Sequence, residues 1–290
     1  MLICSLIAPP GGLSVDMAGN LFSAWGGREL TWLHPREAAE FEIAAMPENR
    51  WQVWQDLQEM HVDLVVQPKA GRRKKLLLAD MDSTMINEEC IDELAEVAGV
   101  GAYVKEITAK AMNGELDFEG ALTERVALLA GLDEAIIAQV LAERITLMSG
   151  GPALLATMKA HGAYAALVSG GFTAFTAAIA AKLGFDENRA NILFAEGGKL
   201  TGKVALPILG REAKVQALEE ITARLGITEQ DVLAVGDGAN DLGMLTRAGS
   251  GVALHAKPSV AAECDIRINH GDLTALLYVQ GYSTADFVQV

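Results

Sequence analysis

Apolar and polar positions divide the chain into two regimes. Over residues 1–67 the apolar runs are short: 2–8 and 62–66 have strand length, and 13–25 and 50–60 carry apolar positions at helical spacing. Residues 30–33 and 39–45 predict a hairpin around His34-Pro35. Within 50–60, Trp51, Trp54 and Leu57 share one helix face, which is the arrangement of a core-facing stripe. From residue 76 onward, nearly continuous apolar runs at 76–79, 164–168, 232–235, 251–254 and 266–268 alternate with amphipathic stretches. Runs without a polar face belong to strands buried on both sides, so this region predicts a parallel sheet between helical layers. Between its first two strands lie residues 87–150, too many for one crossover helix. Helical spacing recurs there at 90–98, 118–129 and 135–145, with Asp133 as the expected N-cap of the last.

These elements predict an α/β protein with a small appended module. The order strand-helix-strand-strand-helix-strand over 1–67 fits a ferredoxin-like α+β domain. Residues 68–75, Pro-Lys-Ala-Gly-Arg-Arg-Lys-Lys, are expected to be a solvated basic linker. Residues 76–86 and 151–290 form the parallel three-layer core, and 87–150 a helical cap overhanging the strand ends.

A length of 290 residues, 51% hydrophobic and 21% charged, suits about two folded domains. The net charge of −15 excludes nucleic acid as the expected partner, because a phosphate backbone needs clustered Lys and Arg. No apolar run reaches the roughly 18 to 20 residues that span a bilayer, and the start lacks the basic flank of a signal peptide. Cys4, Cys90 and Cys264 are odd in number and far apart, which points to neither a disulfide framework nor a zinc site. A cytoplasmic protein with no membrane or nucleic-acid partner is expected, and a homodimer is compatible with the sequence.

Four polar signatures, three of them at strand ends, fall where such sheets place their reactive groups. Leu76-Leu-Leu-Ala-Asp-Met-Asp-Ser-Thr84 ends a strand with Asp80 and Asp82. Val168-Ser-Gly-Gly171 ends the next with a hydroxyl and two glycines, whose amides, ahead of a helix near Phe172, are suited to an anion. Lys214 opens a helix after a glycine turn, and Leu233-Ala-Val-Gly-Asp-Gly-Ala-Asn-Asp241 brings Asp237, Asn240 and Asp241. A DxD alone is also what turns and caps use; the set in this order is more specific. So many acids in one crevice repel a phosphate dianion unless a hard divalent cation joins them, and Mg²⁺ with oxygen ligands resolves the conflict.

The DMDST, SGG, lysine and GDGAND motifs together resemble the haloacid dehalogenase superfamily, and the longer match, including Glu89, resembles its phosphoserine phosphatases. The resemblance spans about residues 76–275. It implies a Rossmann-like core, an aspartyl-phosphate at Asp80, and Asp82 as general acid and then base. Ser169 and Gly170 would hold phosphate oxygens, Lys214 would steady Asp80 and the transferring group, and Asn240 would orient phosphate, with Asp241 in support. Mg²⁺ would be held by Asp80, the main-chain carbonyl of Asp82, and Asp237. Glu89 would meet the substrate ammonium and Arg125 its carboxylate, between Met112 and Phe118 as apolar walls. The implied activity is hydrolysis of O-phospho-L-serine to L-serine, the last step of serine biosynthesis. The alternative is another small phosphate ester, such as homoserine phosphate. Residues 193–204 predict a hairpin around Gly197-Gly198 that resembles the family's flap, and His255 is expected to be structural. Some relatives carry an amino-acid-binding ACT domain in the place of residues 1–67.

Overall fold

The computed structural model describes residues 1–112 and 116–289, the side chains of Ala109, Ala111 and Met112 excepted. The first six elements are β1 (Leu2–Ile7), α1 (Val15–Ala24), β2 (Arg28–His34), β3 (Ala38–Ile43), α2 (Arg50–Glu59) and β4 (Asp63–Pro68). They follow the predicted order, and the strands pair antiparallel as β2-β3-β1-β4. Ser14 starts α1 by accepting from the Met17 amide at 3.0 Å. One face of the sheet, with Cys4, Leu6, Phe41, Leu64 and Val66, packs under both helices against Leu57 and the partly buried Trp54.

The second part begins with β5 (Leu76–Ala79) and continues through α3 (Cys90–Val97), α4 (Gly101–Met112), α5 (Phe118–Ala127) and α6 (Ala135–Glu143). Then come α7 (Gly151–Ala160), β6 (Tyr164–Phe172), α8 (Thr173–Leu183), β7 (Glu187–Asn191), β8 (Leu193–Glu196), β9 (Lys199–Val204) and α9 (Arg211–Leu225). The chain closes with β10 (Val232–Gly236), α10 (Leu242–Arg247), β11 (Ser250–Leu254), α11 (Pro258–Ala262), β12 (Ile266–Ile268) and α12 (Ala275–Val279). Six strands form a parallel sheet in the order β12-β11-β10-β5-β6-β7.

Strand alternation explains why the central runs lack polar residues. Leu77 and Ala79 of β5 face one apolar layer with Leu154 and Phe175, whereas Leu76 and Leu78 face the other with Leu218 and Ile221. From β5 the chain passes to β6 and β7 on one side and later returns to β10 on the other, which opens a crevice at the carboxyl ends of β5, β6 and β10.

Several elements differ from expectation. β7, Glu187-Asn-Arg-Ala-Asn191, is a polar edge strand and carries no apolar run to announce it. The cap holds a further helix, α4, whose lysines and glutamate blur its apolar spacing. Glu134 bounds α6, although the Asp133 carboxylate accepts from the Ala135 amide at 2.9 Å. The predicted flap is present as the β8–β9 hairpin. Among the described residues no helix is long and apolar enough to cross a membrane.

Most residues of the basic stretch 68–75 are exposed, yet its charged side chains have partners. Arg72 forms a bidentate pair with Glu40 at 2.5 and 2.8 Å, Lys69 pairs with Glu42, and Lys75 meets Asp231 at 3.0 Å. Arg73 stacks on the Tyr282 ring at 4.2 Å, and Lys74 donates to the Gln230 carbonyl at 2.7 Å. The second face of the N-terminal sheet (Ile7, Leu33, Ala38 and Val65) belongs to the same apolar cluster as Leu276 and Tyr278 of α12. Buried Asp63 accepts from the amides of Asn269, His270 and Gly271 at 2.8–3.0 Å. The two parts are therefore docked through a packed face and a hydrogen-bonded anchor.

Candidate active site

The signatures from β5, β6, α9 and β10 converge at the carboxyl end of the sheet. Asp80 follows β5, and its amide donates to the Val235 carbonyl at 3.0 Å, which fixes it beside β10. Asp80 Oδ1 lies 2.7 Å from Lys214 Nζ, and the same Nζ lies 2.5 Å from Asp241 Oδ1. Lys214 is 1% exposed. It stands behind Asp80 rather than on the cavity wall, a cation held between two carboxylates. Asp241 Oδ2 accepts from the amides of Asp237 and Gly238 at 3.1 and 2.9 Å, so the GDGAND turn is wound around this side chain.

Asp82 points away from that cluster. Its Oδ1 accepts from the Cys90 amide at 2.8 Å at the start of α3, and its Oδ2 accepts from Ser169 Oγ at 3.1 Å. Ser169 Oγ in turn accepts from the Gly171 amide at 2.8 Å. A Cβ on Gly171 would stand 2.8 Å from Asp82 Oδ2, so the second glycine of the motif is needed for this approach. Thr84 and Asn191 were not singled out in the sequence. Thr84 Oγ1 donates to Asp237 Oδ1 at 3.2 Å. Buried Asn191 ties the Gly170 carbonyl at 2.8 Å to the main chain of Leu209. A hydroxyl inside the DMDST run was the available signal for Thr84, whereas Asn191 sits in the polar edge strand and gave none.

A cavity of about 680 Å³ opens over these groups and under the cap. Asp80, Asp82, Ser169, Gly170, Asp237 and Asn240 line its floor, and Glu89, Phe118 and Arg125 its cap side. The Phe118 ring closes against Gly170, where an added Cβ would lie 3.0 Å from it. Glu89 precedes α3 and accepts from Ser83 Oγ at 2.8 Å, and Arg125 Nε donates to the Ala121 carbonyl at 3.2 Å. Of the expected site residues, Met112 alone has a side chain outside the described residues. His255 lies apart, with Nε2 2.8 Å from the Gly271 carbonyl. Ile91, Thr108, Leu122, Arg211 and Lys257 also line the cavity and were not predicted.

The electrostatics are those of an acid cluster short of positive charge. Burial, and then repulsion from Asp241, push the Asp80 carboxyl up against the pull of Lys214. Burial raises Asp82 despite the bonds from Cys90 and Ser169, and burial with Asp241 raises Asp237. Glu89 is pushed up to about 7 by burial first and by Asp82 second. Lys214 is held in its charged form: burial opposes the charge, and Asp80 and Asp241 outweigh it. Carboxylate oxygens of Asp80, Asp237 and Asp241 lie within 4.8 Å of one another. Hard oxygen donors at this spacing fit a magnesium ion. Because both Asp241 oxygens are engaged with Lys214 and the turn amides, Asp80 and Asp237 are the better-placed carboxylate ligands.

Comparison with known proteins agrees with this architecture. The model of the haloacid dehalogenase-like hydrolases matches residues 77–246. A phosphoserine phosphatase of Haemophilus influenzae is 46% identical over 202 residues, covering 70% of this chain and 64% of the relative. One from Archaeoglobus fulgidus is 40% identical over 252 residues, 86% of this chain and 71% of the relative. The chain thus spans about two thirds of the length of these relatives. Among solved structures, a HAD family hydrolase from Salmonella enterica serovar Typhi superposes with a TM-score of 0.88 at 30% identity, covering 96% of this chain and 97% of the other. A substrate-bound phosphoserine phosphatase complex gives 0.66 at 43% identity, covering 71% and 97%. With a family model over more than half of its length and a relative at 40% identity along most of it, this chain belongs to the haloacid dehalogenase-like hydrolases and, within them, to the phosphoserine phosphatase family.

Proposed function

We propose that the chain hydrolyses O-phospho-L-serine to L-serine and inorganic phosphate through a phosphorylated Asp80. One observation carries the reading: a single cavity has Asp80 at its floor and an acid with a guanidinium, Glu89 and Arg125, on its cap side. That pair complements the ammonium and carboxylate of an amino acid, while the phosphate points to the floor. Relatives with 40–46% identity that are named phosphoserine phosphatases support the same substrate.

Asp80, the main-chain carbonyl of Asp82, and Asp237 would hold Mg²⁺. Bound there, the ion supplies the charge that keeps Asp80 ionised and offsets the charge of the transferring group. Ser169 Oγ and the Gly170 amide take phosphate oxygens at the strand end, with Asn240 on the same wall. Asp80 attacks phosphorus as the bond to the serine oxygen breaks. Asp82, whose carboxyl burial raises, gives its proton to that oxygen. As a carboxylate it then takes a proton from a water whose oxygen attacks phosphorus, and the acyl-phosphate bond breaks to restore Asp80. Lys214, fixed between Asp80 and Asp241, orients the nucleophile from behind.

Three buried cysteines without a disulfide suit a reducing, cytoplasmic setting. The element order of residues 1–68 supports reading them as a regulatory module of the ACT type.

The substrate assignment is tested by Glu89→Gln and Arg125→Ala on two substrates. Each should lower kcat/KM for phosphoserine about a hundredfold, the worth of a lost charge-assisted contact, and change p-nitrophenyl phosphate hydrolysis by less than about threefold. Equal losses on both substrates would remove phosphoserine as the assignment.

A further inference from the structure

Threonines inside helices ordinarily satisfy their hydroxyl on the carbonyl four residues back. Three in this chain do so: Thr123 on Glu119 at 2.8 Å, Thr222 on Leu218 at 2.7 Å and Thr246 on Leu242 at 2.7 Å. Thr108, inside α4, does not. Its Oγ1 is buried and has no hydrogen-bond partner among the described residues. Of the side chains left in that condition (Ser5, His34, Trp54, Thr108 and His270), Thr108 is the one that lines the active-site cavity. A buried hydroxyl without a partner is costly, and one set into a substrate cavity is a group awaiting its ligand.

From this geometry we infer that the Thr108 hydroxyl donates a hydrogen bond to the substrate's α-carboxylate and acts with Arg125 as a specificity-determining residue; the inference rests on the amino-acid phosphate reading above. The choice of the carboxylate follows from the donors and acceptors on the cap side. Glu89, Asp117 and Glu119 offer acceptors, whereas Arg125 and Thr108 are the donors among the cap side chains lining the cavity. A carboxylate has about four lone-pair sites, more than one guanidinium fills, and the ammonium end is already supplied with acid.

Thr108→Val keeps the shape and removes the hydroxyl, and Thr108→Ser keeps the hydroxyl. Because the group has no partner among the described residues, Thr108→Val should leave the melting temperature unchanged or raise it. It should nevertheless lower kcat/KM for phosphoserine about tenfold, the factor for one hydrogen bond to a charged group, mainly through KM. Phosphoethanolamine, which lacks the carboxylate, should be hydrolysed equally by wild type and variant, and Thr108→Ser should restore most of the loss. Unchanged kcat/KM for phosphoserine in Thr108→Val, or an equal loss on phosphoethanolamine, would overturn the inference. A wild type inactive on phosphoserine would instead overturn the substrate reading on which it rests, so the two failures are told apart.

Discussion

Glu89 shows how environment decides what one side chain can do. At the surface it would be ionised at any physiological pH. Here burial, and then the neighbouring Asp82, push it up to about 7, with Ser83 opposing through a hydrogen bond. A raised acid is neutral below its pKa, so the carboxylate proposed to meet the ammonium is lost as pH falls through about 7. Because kcat/KM reports ionisations of the free enzyme, it should fall on the acid side of that value for phosphoserine. In Glu89→Gln this acid limb should flatten, as read from a pH profile of kcat/KM. A limb of undiminished steepness in the variant would assign it to another group. The residue types and order of Asp80, Asp82, Ser169 and Asp237 were legible because their spacing follows strand ends, and Lys214 because it follows a glycine turn at the start of a helix. What Lys214 touches was not: its place behind Asp80, between two acids, depends on how α9 packs beside β10.

At the scale of elements, the strands that announced themselves were those with two buried faces. β5, β10 and β11 are apolar because each face feeds a separate core layer. The polar edge strand β7 and the cap helix α4 lacked that signature, and α4 is the element that carries Thr108. The flap offers a sharper test of packing between elements. Gly202 on β9 has φ +72, and a Cβ there would stand 2.8 Å from that of Ala130 and 3.2 Å from the Ala127 carbonyl oxygen at the end of α5. Only a residue without a side chain suits both the left-handed backbone and this approach. Gly202→Ala should lower stability by about 1–2 kcal/mol, measured by thermal or denaturant unfolding. An unchanged midpoint would mean that the flap does not bear on the cap as described.

Across the whole molecule, the N-terminal module and the core share one apolar cluster instead of standing apart on a tether. The sequence showed the module's element order but not its docking. The exposed basic run gave no sign of its partners, because Glu40 from β3 and Asp231 from before β10 are brought alongside only by the fold. Asp63 anchors this interface through three amides of the segment after β12. Asp63→Ala leaves those donors without their acceptor and should cost about 3 kcal/mol. Calorimetry should find one unfolding transition in the wild type and a lowered or divided one in the variant; an unshifted single transition would contradict the anchor. The chemistry at the strand ends is read by one assay: phosphate release from L-phosphoserine, with Mg²⁺ or with EDTA, beside a panel of other small phosphate esters. Release should require the metal and strongly prefer phosphoserine. Release that persists in EDTA, or that occurs with the other esters but not with phosphoserine, would contradict that chemistry.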